Sequence, residues 1–212
     1  MQHLLFWIFG AFAGYLCGSL SSAVIVCRAM GYGDPRTLGS GNPGATNVLR
    51  IAGEKAAALT LAGDSLKGFL PLVFFAILRR FFPAGVDDLT IILVGLGAFF
   101  GHLYPIFFEL KGGKGVATAF GVLLGWNPVV ALLSVGIWGA VFWNTKISSL
   151  SAVIATIFYA PLDYLRLAVF VMVGMLIYRH RSNIERLIKG EEIPFGQSKP
   201  LSDDDDDDND ED

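Results

Sequence analysis

Apolar residues in this chain fall in long blocks. Residues 4–26 run without a charge for about 23 positions, enough to cross a bilayer with some tilt. A second block, 56–78, carries Asp64 and Lys67 within it. A turn at 79–88 containing Pro83 and Gly85 separates it from a third block, 89–108. Residues 116–143 are apolar but too long for one comfortable crossing, and Trp126, Asn127 and Pro128 interrupt them. Residues 149–178 are broken in the same way at Pro161, Leu162 and Asp163. Each of these last two blocks predicts either one long tilted helix or two short ones, so five or seven spans result.

Composition agrees with the blocks. The 212 residues are 53% hydrophobic and 17% charged, with a mean hydropathy of +0.55. A soluble domain is about 25% charged and needs that polarity to cover its core. The fold class expected is therefore an all-α polytopic membrane protein, and a secreted disulfide scaffold, a disordered chain and a free nucleic-acid-binding domain are excluded. Cys17 and Cys27, the two cysteines, share one early apolar segment and suggest neither a disulfide framework nor a metal cluster.

Charge orients the spans. The start Met-Gln-His lacks the basic residues of a cleaved leader, and the bases follow the first block at Arg28, Arg36 and Arg50. The expectation is a retained first span with its N-terminus outside. Loops 28–55 and 109–115 then lie inside with four and two bases, as does 179–192 with Arg179, Arg181, Arg186 and Lys189. Arg79 and Arg80 fall outside, a minority. Either span count leaves the C-terminus cytoplasmic, but only seven brings 144–148 to the cytoplasmic side. The net charge of −3 conceals a divided chain: nine of nineteen acids lie in 203–212, leaving ten acids against sixteen bases before them. A run of like charge repels itself, so 193–212 is expected to be a disordered acidic tail after a single domain, 1–192.

Three polar, glycine-rich stretches fall on one side of the membrane in this scheme. In SGNPGATNVLR, residues 40–50, the glycines allow tight turns and close approach to a ligand. Asn42, Thr46 and Asn47 offer neutral hydrogen bonds there, and Arg50 can grip a phosphate through two parallel ones. In KGGKGVAT, residues 111–118, successive backbone N–H groups at a helix start form an anion site to which Lys111 and Lys114 add charge. Phe108 and Gly115 stand where a Walker loop needs glycine and Ser or Thr, so phosphate binding is indicated without ATP. In HRSNIERLIKGEE, residues 180–192, His180 and Asn183 are spaced to share one helix face.

Ionisable residues inside spans are costly and seldom idle. Asp64 and Lys67 are i,i+3 neighbours able to pair. At about 1.5 Å per residue, Asp64 lies roughly 12 Å deep and His102 roughly 9 Å from the same face. All three fall at the depth of a cavity beneath the polar loops.

Together SGNPGATNVLR, DSLKG, GHLYPIFFELKGGKGVAT and HRSNIERLIKGEE resemble the bacterial acyl-phosphate:glycerol-3-phosphate acyltransferase family. The resemblance covers the chain through residue 192, leaves out the acidic tail, and departs at Leu110, where an aromatic residue is expected. It implies an inner-membrane enzyme of seven spans, some short, with its active site at the cytoplasmic face. Such an enzyme transfers a fatty acyl group from acyl-phosphate to the 1-hydroxyl of glycerol-3-phosphate, giving lysophosphatidate and phosphate, the first committed step of bacterial phospholipid synthesis. No metal or organic cofactor is implied. The partners implied are the two small-molecule substrates, membrane lipid and the enzyme that makes acyl-phosphate, with no nucleic acid. The resemblance puts Ser40 and Arg50 at essential positions, and Gly112, Gly113 and Gly115 in the glycerol-3-phosphate loop. His180 and Asn183 match positions important for activity, and Glu191 or Glu192 one important for integrity. A further family segment resembles 144–151, which is cytoplasmic there and favours seven spans.

Residue chemistry fits that expectation. An acyl-phosphate is a reactive mixed anhydride, so catalysis requires mainly proximity, charge neutralisation and deprotonation of the acceptor. Direct attack by the glycerol hydroxyl is expected, with Arg50, Lys111 and Lys114 on phosphates, and Ser40 and Asn183 orienting them. His180, His102 and the leaving phosphate are candidate proton acceptors. A Ser40 acyl-enzyme is less attractive, since no neighbouring base is visible. A transporter of phosphorylated lipids would use similar loops, but the polar motifs show no paired repeat.

Overall fold

The computed structural model describes residues 2–157 and 166–192, and every regular element among them is helical. In chain order these are α1 (Gln2–Gly18), α2 (Ser22–Ala29), α3 (Ala45–Phe81), α4 (Asp88–Leu103), α5 (Val116–Trp126), α6 (Pro128–Thr145), α7 (Ser148–Ile157), α8 (Arg166–Arg179) and α9 (Arg181–Lys189). Four stretches are long and apolar enough to cross a membrane: His3–Ala29, Ala45–Phe81, Asp88–Phe108 and Pro128–Thr145. α5 and α8 are shorter apolar helices. The acidic tail and the break at 161–163 lie outside the described residues.

The helices depart from the apolar blocks at informative places. The first block is two helices, because the chain opens at 19–21 and the freed carbonyl of Leu20 accepts a 2.7 Å hydrogen bond from Lys67. The polar stretch 40–50 is a loop only to Gly44. α3 begins at Ala45, and Gly53, at φ 80°, kinks it one turn before the second apolar block. α4 stops at Leu103 rather than 108, since Tyr104 precedes Pro105 and is forced out of helical backbone. A 3₁₀ turn, Ile106–Phe108, follows. Of the two alternatives for 116–143, two helices form: Asn127 caps α6 by accepting from the Val130 N–H, and Pro128 occupies the first helical position.

Lipid offers little hydrophobic drive for helix association, so close backbone approach through small residues has to supply it. α1 and α4 meet through Gly14, Gly18, Gly97 and Gly101, where any added methyl would strike the facing backbone. Gly68 of α3 and Gly121 of α5 meet the facing helix in the same way. The interior between these helices is filled by Leu72, Phe75, Phe99, Leu103 and Leu123, with Met172 and Leu176 contributed by α8.

Polar contacts sort the connections to two ends. At one end Trp7 Nε1 donates to Asp87 at 2.9 Å, and Asp87 caps α4. Arg79 pairs with Asp88 at 2.6 Å, offsetting the arginine that runs against the charge rule. The glycine-rich loops, the turn before α7 and the segment after α8 gather at the other end.

Candidate active site

Three loops meet at this end. The first is shaped by Asn47, which is 1% exposed at the start of α3. Its Oδ1 accepts from the Ser40 N–H at 2.8 Å, and its Nδ2 donates to the carbonyls of Pro35 and Leu38 at 2.9 and 3.0 Å. Asn47 therefore holds the loop and presents Ser40, itself exposed. Arg36 pairs with Asp34 at 2.7 Å and donates to the Phe108 carbonyl at 3.3 Å, joining this loop to the 3₁₀ turn. Thr46 Oγ1 lies 3.3 Å from Ser148 Oγ, which brings the start of α7 to the same place.

The second loop, 111–115, folds back beside the last turn of α4. Gly115, at φ 90°, opens α5 against Phe99 and Leu103, which leaves no room for a side chain. Gly113 lies against His102 Nε2 and the Pro43 carbonyl. The N–H groups of residues 112–115 donate to no carbonyl among the described residues. The carbonyls of Gly112 and Gly113 are held instead: Arg179 donates from Nη2 to Gly112 O at 2.6 Å and to Gly113 O at 2.9 Å. With carbonyls drawn to a guanidinium on one side, a run of unengaged N–H groups ahead of a helix is an anion cradle.

Cations surround it unevenly. Lys114 donates to Asn183 Oδ1, and Asn183 Nδ2 donates to Glu192 Oε1 at 2.7 Å. Ser149 Oγ and Arg186 Nε donate to the same carboxylate at 2.5 and 2.6 Å. Burial lowers the Lys114 ammonium to about 8; Arg186, Arg179 and Arg50 push the same way, and Glu192 opposes them. Around Lys114 one carboxylate, Glu192, thus stands against three arginines, an imbalance that suits an anion. Burial would raise Glu192, but hydrogen bonds from Ser149, Asn183 and Arg186 outweigh it and hold the carboxyl below the usual range.

His180 and Asn183 share one buried face as the spacing predicts. His180 Nδ1 lies 2.8 Å from the Leu176 carbonyl, which can only accept, so the neutral ring carries its proton there. Burial first, then Lys114, brings its pKa down to about 4, so the ring is neutral at physiological pH. Deeper in the bundle Asp64 lies 2.8 Å from Lys67 and 3.6 Å from His102 Nδ1.

The residues singled out by sequence are not all brought together. Lys114, Asn183 and Glu192 form one network with Arg50 near it, whereas Lys111 is exposed and pairs with Glu109 at 2.8 Å. Of the two glutamates, Glu192 makes the contacts and Glu191 is exposed. Asn42 is half-buried in the first loop. Arg179, Ser149 and Arg186 escaped the sequence reading. Arg179 and Arg186 counted there only as inside charges, and nothing local tells a residue that holds a loop from one that meets lipid headgroups.

The glycerol-3-phosphate acyltransferase family model matches residues 8–190. A glycerol-3-phosphate acyltransferase of Hydrogenovibrio crunogenus is 53% identical over 192 residues, covering 86% of this chain and 88% of that protein. One from Paraburkholderia phytofirmans is 46% identical, covering 89% and 91%. Crystal structures of PlsY (YgiH), an integral membrane glycerol 3-phosphate acyltransferase, are also similar. Its glycerol 3-phosphate form has a TM-score of 0.79 at 38% identity, covering 92% of this chain and 96% of PlsY. Its lysophosphatidic acid form has 0.77 at 37%, covering 89% and 95%. With a family match from residue 8 to 190 and relatives that align over most of its length, the chain belongs to the glycerol-3-phosphate acyltransferase family of integral membrane enzymes.

Proposed function

We propose that this acyltransferase takes its acyl group from an acyl-phosphate and places it on the 1-hydroxyl of glycerol-3-phosphate, forming lysophosphatidate and inorganic phosphate. One observation carries the reading: the N–H groups of 112–115 donate to no carbonyl among the described residues, Arg179 holds the carbonyls of Gly112 and Gly113, and Lys114 stands among the charges of three arginines. That arrangement receives phosphate, and both substrates carry one. The related PlsY, solved in glycerol 3-phosphate and lysophosphatidic acid forms, supports the acceptor and the product.

The hydroxyl oxygen attacks the acyl carbonyl carbon, the new C–O ester bond forms, and the acyl C–O bond to phosphate breaks. Phosphate leaves with that electron pair. The hydroxyl proton needs an acceptor, and His180 at about 4 is a weak one. The phosphate, expelled from a dianionic acyl-phosphate as the trianion, is a far stronger base than the imidazole and takes the proton, leaving as hydrogen phosphate. Ser40, Arg50, Lys114 and Asn183 hold and orient phosphate oxygens; Asn42 and Thr46 line the first loop. In this reading the chain crosses the bacterial inner membrane seven times, some spans short, with its N-terminus outside. The site faces the cytoplasm.

The test is turnover by the purified chain in detergent. Palmitoyl-phosphate and glycerol-3-phosphate should yield equal amounts of phosphate and lysophosphatidate. Product formation from acyl-CoA alone, with no phosphate released, overturns the donor assignment.

A further inference from the structure

Beneath the glycine loop a buried ion pair reaches two residues further than its own charges require. Asp64 and Lys67 sit one turn apart on α3, 2.8 Å from each other, with side chains 4% and 7% exposed. Two opposite charges at i,i+3 can satisfy each other, and a buried pair gains little beyond that. This pair makes two outside contacts. Asp64 Oδ1 lies 3.6 Å from His102 Nδ1 on α4, and Lys67 Nζ donates at 2.7 Å to the Leu20 carbonyl in the break between α1 and α2.

His102 carries the contact onward. Its Nδ1 edge faces Asp64, and its Nε2 edge abuts Gly113 so closely that a methyl group there would overlap it. Gly112 in turn meets the carbonyls of His102 and Leu103. The ring is 6% exposed and fills the space between a charged pair and the floor of the anion cradle. An imidazole in that place sets how deep the loop sits, and the Asp64 carboxylate 3.6 Å from its other edge, beyond hydrogen-bond reach, faces that edge as a buried charge. The loop is then fixed from both sides, by Arg179 on its carbonyls and His102 under Gly113.

Resting on the reading of 112–115 as the glycerol-3-phosphate site, we propose that Asp64 and Lys67 are positioning residues for it. They hold His102 as a spacer under Gly113, and through Leu20 they tie the break in the first span to the same loop. His102 serves here as a fixed wedge between α3 and the loop, and no proton passes through it.

Steady-state kinetics of the full chain test this, with both substrates varied. Asp64→Asn should raise the KM for glycerol-3-phosphate ~10-fold or more, as small displacements of a binding group do, and leave the KM for the acyl donor unchanged. Since a lone Lys67 charge can spoil folding, the paired variant D64L/K67M removes both charges together and should show the same selective rise. Gly113→Ala should also raise it, and His102→Ala in that background should lower it again by making room for the methyl. A wild-type KM for glycerol-3-phosphate in D64L/K67M, or a Gly113→Ala defect indifferent to His102, overturns the proposal. Lys114→Ala separates the two readings. If it raises that KM while D64L/K67M does not, this inference alone falls; if neither raises it, the placement of glycerol-3-phosphate on the loop falls as well.

Discussion

Arg179 holds Gly112 by its carbonyl at 2.6 Å, and the same Nη2 reaches Gly113 O at 2.9 Å while Nε reaches it at 3.1 Å. The guanidinium fork never has to touch substrate to matter. It turns two peptide units so that their carbonyls face the protein, which leaves the N–H sides for an anion. A lysine has no planar fork and cannot grip two adjacent carbonyls in this way. Arg179→Lys should therefore raise the KM for glycerol-3-phosphate ~10-fold, equivalent to about 1.4 kcal/mol, with a smaller change in kcat. Initial rates at varied glycerol-3-phosphate check it.

Lys114 predicts a pH limb. Its ammonium sits at about 8, depressed from the ordinary lysine value mainly by burial. If Lys114 binds phosphate as proposed, it does so charged, below about 8, and as pH rises through that value it deprotonates and affinity should fall. kcat/KM for glycerol-3-phosphate should decline above about pH 8. Bound phosphate favours the charged form, so the limb in kcat should lie at higher pH. Lys114→Arg should move the kcat/KM limb upward by keeping its charge, which pH–rate profiles of the two proteins would show.

Glu192 and Glu191 should behave unlike each other. Glu192 collects Ser149, Asn183 and Arg186 on a carboxylate 11% exposed, so Glu192→Gln leaves three donors, one of them a charged guanidinium, facing an amide that can accept at only one atom. It should lose most activity and destabilise the fold by about 1–3 kcal/mol. Glu191→Gln, on an exposed residue, should stay within about 0.5 kcal/mol. Thermal unfolding in detergent alongside turnover separates them.

Asn47 is the residue whose loss should act at a distance. Asn47→Ala removes three hydrogen bonds to the first loop and strands the carbonyls of Pro35 and Leu38. The expected result is a sharp fall in kcat with Ser40 displaced, and a lower unfolding temperature. Asn47→Asp should rescue only in part, because a carboxylate accepts from Ser40 N–H but cannot donate to the two carbonyls.

Much of this was legible in the sequence, for reasons that particular residues make plain. Pro128 after Asn127 announces a helix break, because proline suits a first turn and asparagine caps it. Gly112, Gly113 and Gly115 announce close backbone approach, and His180 with Asn183 a shared face. The opening at 19–21 was not visible, because a run without charges reads as one helix; its partner, Lys67, is 47 residues away. Asn47 read as a ligand group, since an amide that binds a phosphate and one that binds its own loop look the same until the loop is folded. Arg179 was hidden for a like reason: a base at the end of an apolar helix is ordinary at a membrane surface. Contacts between residues distant in sequence, the kind that decide a site, are the part that patterning along the chain does not carry.

The central claim is that the N–H groups of 112–115, with Lys114 beside them, receive the phosphate of glycerol-3-phosphate. The direct measurement is the position of that phosphorus atom in a structure of this chain with the substrate bound. The account predicts phosphate oxygens within hydrogen-bond reach of those N–H groups and of Lys114 Nζ. A phosphate bound away from the loop, with 112–115 left open, would contradict it.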